Sequence, residues 1–116
     1  MIKKTEANMC WEYSIKIKNT IEIFINQHHI DIPSKHTREV ILKKVKDITL
    51  NFLNAKVAHF TESDDFIIKA FSDLDDLEAI LIPFFQKSFH ETDLLYLIKQ
   101  QIDEINTFKN KYFPSL

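Results

Sequence analysis

The clearest periodic pattern in the chain lies between residues 35 and 59, where apolar residues recur at steps of three and four. One row is Ile41, Val45, Ile48, Phe52 and Ala55, and a second row, Leu50, Leu53, Val57 and Phe60, widens it. Such a stripe is typical of an amphipathic helix with one side in a core. Ser34 directly precedes the stripe and can cap a helix, so we predict a helix over 35–59.

Residues 13–25 fit two patterns. Segments 14–18 and 21–25 alternate apolar and polar residues as strands do, with Asn19 and Thr20 as the turn between them. Asn-Thr is a poor match to two-residue hairpin turns, which favour Asn-Gly. As a helix, the same segment forms one continuous side with Ser14, Ile17, Ile21, Phe24 and His28. We therefore predict a helix and keep an α+β fold with an N-terminal hairpin at 13–25 as the alternative.

The second half of the chain predicts shorter helices. Ser72 followed by Asp75 is similar to a capping box, so we predict a break near residues 71–73 between helices over 63–71 and 73–82. Pro83 is expected to kink or restart the chain. Thr92 is the predicted cap of a last helix, whose apolar face is Leu95, Ile98, Ile102, Ile105 and Tyr112. The fold prediction is all-α, a single-domain antiparallel bundle of about five helices over residues 1–116.

Composition limits the chemistry that the chain can perform. The 116 residues include one cysteine and no glycine, which excludes a Gly-rich phosphate loop, a dinucleotide fingerprint and a G-x-S-x-G nucleophile motif. Cys10 cannot form an internal disulfide, which favours a reducing compartment. Neither a signal-peptide pattern nor a membrane-length apolar run is visible. We therefore expect a soluble cytoplasmic protein that is not an enzyme.

Metal and cofactor sites are not indicated either. The histidines lack the close spacing of zinc ligands: His28, His29, His36, His59 and His90. A calcium loop starting at Asp73 would need Gly at its sixth position and Glu at its twelfth, and that twelfth position is Phe84. We expect no metal and no cofactor.

Negative charge is concentrated in one stretch. Seven of the seventeen acidic residues lie between Glu62 and Glu78, with only Lys69 against them. Some of these acids suit helix starts, where they interact with the helix dipole. The remaining density predicts a surface that binds a basic partner, with nearby aromatic residues as anchors. The predicted partner-binding residues are Asp64, Asp65, Asp73, Asp75, Asp76 and Glu78, together with Phe84 and Phe85.

In its size, its helical patterning and its acidic stretch beside Phe84 and Phe85, the chain resembles small bacterial immunity proteins. These include the helical immunity proteins of bacteriocin systems and the immunity partners of contact-dependent growth inhibition toxins. The resemblance implies a non-enzymatic inhibitor that binds a toxin domain, often a basic nuclease, and occludes its active site. An acidic surface suits that task because nuclease sites are lined with cationic side chains that bind phosphate.

Two other functions stay open at this stage. A helical secretion chaperone or adaptor would bind an amphipathic segment in an apolar groove. The apolar run over residues 80–89 is the candidate for that groove. A nucleic-acid-binding regulator would use the basic segment over residues 35–46 against phosphates. The strongly acidic neighbouring stretch makes nucleic acid the less favoured partner.

Overall fold

Four α-helices make up the computed structural model, which describes residues 3–27, 34–87 and 93–115. They are α1 (Lys4–Gln27), α2 (Lys35–Val57), α3 (Phe60–Lys87) and α4 (Asp93–Tyr112). No residue in the described ranges is in a β-strand, so the all-α prediction is confirmed. The number of helices is four rather than about five. The helices form one elongated bundle that measures 43 × 25 × 18 Å.

The first helix settles the ambiguity over residues 13–25. α1 runs through the whole segment without interruption, so the hairpin alternative is wrong. Its buried side follows helical steps, with Ile17, Ile21 and Phe24 in the core, while Ile23 of the alternating pattern is 46% exposed. Ser14, also buried, donates its hydroxyl proton to the Trp11 carbonyl at 2.7 Å, so its burial leaves no unpaired polar group.

The second helix matches its prediction closely at both ends. The Ser34 hydroxyl accepts a hydrogen bond from the backbone N–H of Thr37 at 3.2 Å, which confirms the predicted cap. α2 ends at Val57, two residues before the predicted end. Only the first predicted row is buried. Leu50, Leu53 and Val57 of the second row are exposed, because the core occupies a narrower side of α2 than the pattern indicated.

The third helix is continuous where a break was predicted. α3 passes through residues 71–73 without interruption, because Ile67, Phe71 and Leu74 are successive members of one buried row. Burying this row outweighs the local capping tendency of Ser72, which is exposed. α3 also continues past Pro83 and ends four residues later, where one missing intrahelical hydrogen bond is tolerated. The predicted cap of α4, Thr92, lies outside the described residues.

The end of α2 is held by the side chain of Lys4. Its ammonium donates to the carbonyl of Ala55 at 3.1 Å and to the carbonyl of Ala58, and it also lies 3.0 Å from the Ser63 hydroxyl. That hydroxyl donates to the same Ala55 carbonyl at 2.8 Å. The last carbonyls of a helix lack intrahelical partners, so a cation there is favourable. This clasp joins the starts of α1 and α3 to the end of α2.

Consecutive helices are antiparallel and share one core. α2 packs extensively against α1 and α3, and α4 packs mainly against α1. An aromatic cluster links all four helices: Phe52 meets Phe71 edge to face at 5.2 Å, Phe71 lies 6.1 Å from Phe113, and Tyr13 of α1 lies 5.6 Å from Phe108. Of the four helix pairs that pack together, α3 and α4 have the smallest contact.

The single thiol belongs to this core. Cys10 is fully buried, and its burial, with a smaller contribution from the Glu6 carboxylate, raises the pKa of the thiol from 9.0 to about 12. A thiol that is both inaccessible and protonated is a poor nucleophile. Cys10 is therefore a packing residue.

We expect Cys10 to react with a disulfide reagent at pH 8 at least roughly 100-fold more slowly in the folded protein than in urea. Stopped-flow measurement of labelling at increasing urea concentrations checks this, with free cysteine as the control.

The raised pKa of Cys10 also predicts how the stability of the fold changes with pH. The stabilisation from the neutral thiol is complete below pH 9 and is lost as the pH rises towards 12, so Cys10→Ala should lose less stability than the wild type over that window. Equal labelling of the folded and unfolded chain would contradict the buried placement.

Candidate functional site

The predicted acidic residues all lie on α3, but they do not share one side of it. Successive residues of an α-helix are rotated by about 100°, which distributes the carboxylates around the axis. Asp73 and Asp76 lie on the side towards α2, Asp75 lies towards α4, and Asp65 faces solvent. The remaining two, Asp64 and Glu78, are half-buried and follow the helical spacing of Asp75.

The carboxylates towards α2 have partners within the chain. The Lys44 ammonium lies 3.4 Å from Asp73 and 3.2 Å from Asp76, and the Asn51 amide donates to Asp73 at 3.3 Å. The hydrogen bond to Asp76 is the main cause that raises the pKa of Lys44; desolvation opposes it, and the charge and hydrogen bond of Asp73 add to the rise. Asn51 is buried, so Asp73 satisfies a polar group that would otherwise be unpaired. Asp73 therefore contributes to folding.

Other carboxylates of α3 are left without such partners. Within the described ranges, four acidic side chains of this helix make no hydrogen bond or ion pair: Glu62, Asp65, Asp75 and Glu78. The first three are exposed and Glu78 is half-buried. These four carboxylates therefore leave α3 with unpaired negative charge from its first turn to its middle.

A cleft of about 370 Å³ lies beside Asp75 at the seam between α3 and α4. It is lined by Ile68, Phe71, Ser72, Asp75, Lys109 and Ser115. The buried Phe71 ring is its floor, and the Lys109 ammonium lies 5.3 Å from the centre of that ring, within range of a cation–π interaction. Ile68 is 49% exposed at the rim. The cleft thus places apolar surface next to one carboxylate, one ammonium and two hydroxyls.

The two predicted aromatic anchors have separate positions. Phe84 and Phe85 are half-buried and both pack against the core. Helical spacing places Phe84 in the row of Asp73, towards α2, and Phe85 in the row of Glu78, towards α4. Within residues 80–85, Ile82 and Pro83 are exposed. Only Phe85 therefore lies near the seam with Asp75.

Of the six residues that line the cleft, only Asp75 was a predicted site residue; the others are Ile68, Phe71, Ser72, Lys109 and Ser115. Ile68 precedes Asp75 by seven residues, which is two helical turns, so its position beside Asp75 was readable once a continuous α3 was assumed. Lys109 comes from α4, and nothing in the chain's local pattern links it to Asp75.

The basic segment of α2 is largely neutralised within the chain. Lys35 lies 3.9 Å from Glu39 and Lys43 lies 2.9 Å from Asp47, in addition to the pairing of Lys44 with α3. Residues 3–27, 34–87 and 93–115 contain no group of three or more His, Cys, Asp or Glu side chains that could hold a metal ion. In the same ranges, no helix is both apolar enough and long enough to cross a bilayer.

No protein-family model, curated protein sequence or solved structure matches the chain.

Proposed function

We propose that this protein is a cytoplasmic immunity protein that binds a basic toxin domain and occludes its active site without performing catalysis. The observation that carries the proposal is the set of α3 carboxylates with no partner in the described part of the chain. Forming a new ion pair with Asp65 or Asp75 breaks no existing one, whereas Asp73 and Asp76 are already engaged by Lys44. Uncompensated surface charge of one sign speeds association with an oppositely charged partner.

The proposed contact surface combines the solvent side of α3 with the α3–α4 cleft. Asp65, Asp75 and Glu78 supply the charges, and Ile68 at the cleft rim supplies exposed apolar area. A toxin that cleaves nucleic acid binds phosphates with Lys, Arg and His side chains. Carboxylates that pair with those side chains would occupy the position of the phosphates, and the bulk of the bundle would then exclude the substrate.

The partner can be identified by affinity purification from the native cell, guided by whether a toxin gene lies directly upstream. Co-purification of a folded basic domain supports the proposal. A partner captured only in an unfolded or segmental form would instead favour a secretion chaperone or adaptor.

With the purified partner, the triple variant Asp65→Asn, Asp75→Asn, Glu78→Gln should associate about 10-fold or more slowly at low salt. Its affinity should also depend less on salt, because fewer charge pairs form in the complex. Surface plasmon resonance at two salt concentrations measures both quantities.

The matched control removes the same charge from elsewhere on the surface. Glu12, Glu39 and Glu104 are exposed and lie on other helices, so changing all three to Gln should leave the association rate within about 2-fold of the wild type. Equal slowing by the two triple variants would show that net charge, rather than the α3 surface, governs binding. Wild-type binding by the first triple variant would refute the proposed surface.

A further inference from the structure

The cleft between α3 and α4 contains two opposite charges that do not pair with each other. Asp75 of α3 and Lys109 of α4 both line it, yet neither side chain forms an ion pair within residues 3–27, 34–87 and 93–115. The Lys109 ammonium instead lies 5.3 Å from the centre of the Phe71 ring, where a cation–π contact attracts it. The same cleft therefore offers an anion and a cation to a ligand.

The apolar surface of the cleft is held in place by the core. The Phe71 ring forms its floor and packs against two aromatic neighbours, Phe52 at 5.2 Å and Phe113 at 6.1 Å. Ile68 adds an aliphatic side chain at the rim, on the side of α3 that also carries Asp75. Small-molecule sites are usually formed before the ligand arrives, and this packed floor meets that condition.

The size and the hydroxyls of the cleft limit its ligand further. A volume of about 370 Å³ is near the lower end of the range of small-molecule sites, which suits a molecule of amino-acid size rather than a long peptide or a dinucleotide. Ser72 and Ser115 also line the cleft, and neither hydroxyl has a hydrogen-bond partner in the described part of the chain. Both can therefore bond to a polar group of the ligand.

The two charges decide which charge state of such a ligand the cleft favours. An anion would be attracted by Lys109 and repelled by Asp75, and a cation would experience the reverse. A neutral apolar molecule would remove water from both charges without giving either a partner. A zwitterion can bring its ammonium to Asp75 and its carboxylate to Lys109, so that each charge it covers gains a partner.

We propose that the α3–α4 cleft binds a free α-amino acid with an apolar side chain. The ammonium of the ligand pairs with Asp75, its carboxylate pairs with Lys109, and its side chain lies against Ile68 above the Phe71 floor. Asp75 is shared with the surface proposed for the toxin, but the amino-acid site itself needs no toxin. Each measurement that tests it uses the chain alone, so its outcome is independent of the proposed inhibitor function.

Titration of the ¹⁵N-labelled chain with L-leucine, followed by NMR, tests the site. A ligand of this size in an open cleft should bind with a Kd on the order of 1 mM. The backbone resonances of Ser72, Asp75 and Lys109 should shift as L-leucine is added. Those around Lys18 should not, because α1 does not line the cleft.

Ligands that share the leucine side chain separate the two charges. At about pH 6.5, L-leucinamide carries only the ammonium and N-acetyl-L-leucine carries only the carboxylate. Each should bind the wild type about 10-fold or more weakly than L-leucine, because each loses one ion pair and keeps one repulsion. Glycine carries both charges without an apolar side chain, and it should also bind about 10-fold or more weakly.

Two substitutions should change these preferences in opposite directions. Asp75→Asn leaves only Lys109, so N-acetyl-L-leucine should then bind at least as tightly as L-leucine. Lys109→Gln leaves only Asp75, so L-leucinamide should become the equal of L-leucine. The matched control is Glu104→Gln, which removes an exposed carboxylate of α4 outside the cleft and should keep the wild-type order.

Circular dichroism verifies that the variants are folded, and the comparison of ligands on the wild type needs no variant. Three results would overturn the proposal: cleft resonances that do not move up to about 20 mM L-leucine, shifts that map outside the cleft, or derivatives that bind the wild type as tightly as L-leucine. A folded Asp75→Asn variant that keeps the wild-type order of ligands would overturn it as well.

Discussion

Phe52→Ala is expected to lower the free energy of unfolding by about 3–5 kcal/mol. Phe52 is completely buried and meets Phe71 edge to face at 5.2 Å, and Phe71 in turn packs near Phe113. Truncation removes this ring contact and leaves a cavity where α2, α3 and the C-terminal residues meet. Domains of this size have total stabilities of about 5–15 kcal/mol, so this loss is a large fraction of the free energy of unfolding.

Urea denaturation followed by circular dichroism at 222 nm measures this loss. The control is Leu97→Ala on α4, because Leu97 is 40% exposed and should cost less than about 1 kcal/mol. Comparable losses for the two variants would mean that Phe52 is not at the centre of the packing. A change in the denaturant slope would indicate an altered unfolded state and would require a two-state check first.

Asp73→Ala is expected to cost about 1–3 kcal/mol, although Asp73 belongs to the acidic stretch that predicts a binding surface. Its carboxylate accepts from the buried Asn51 amide and pairs with Lys44, so its removal leaves a buried donor unpaired. Asp75→Ala is the matched control on the same helix. Asp75 is exposed and has no ion pair in the described ranges, so its removal should change stability by less than about 0.5 kcal/mol.

A double-mutant cycle locates the cause of that loss. If the unpaired Asn51 amide is responsible, adding Asn51→Leu to Asp73→Ala should cost less than the sum of the two single changes. Chemical denaturation at pH 7 gives all four stabilities. Additive losses, or equal losses for Asp73→Ala and Asp75→Ala, would rule out a special folding role for Asp73.

These two carboxylates show where sequence reasoning about the site reaches its limit. The density of acids over residues 62–78 was readable, but their partners were not. Lys44 precedes Asp73 by 29 residues and belongs to another helix, so only the packing of α2 on α3 separates engaged acids from unengaged ones. The cleft has the same origin, because Lys109 reaches it from α4.

The fold was easier to predict than the site, and the errors in the fold prediction have local causes. The long periodic pattern over residues 35–59 predicted both ends of α2 to within two residues. In α1, isoleucines at alternate positions imitate a strand, and burial alone shows that Ile23 is on the outside. In α3, the cap signal at Ser72 was weighed without the buried row that runs from Ile67 through Leu74. Local capping terms amount to about 1 kcal/mol, and burying one large apolar side chain is worth more.

The uneven packing of α4 has a consequence for synthesis on the ribosome. Once residue 63 has emerged, Lys4, Ala55 and Ser63 are all available, so α1, α2 and the first turn of α3 can begin to associate through the clasp. The surface of α1 around Tyr13 must wait for Phe108, which is translated 95 residues later. The nascent chain therefore carries an uncovered aromatic surface until translation is nearly finished, and docking of α4 is the step that removes it.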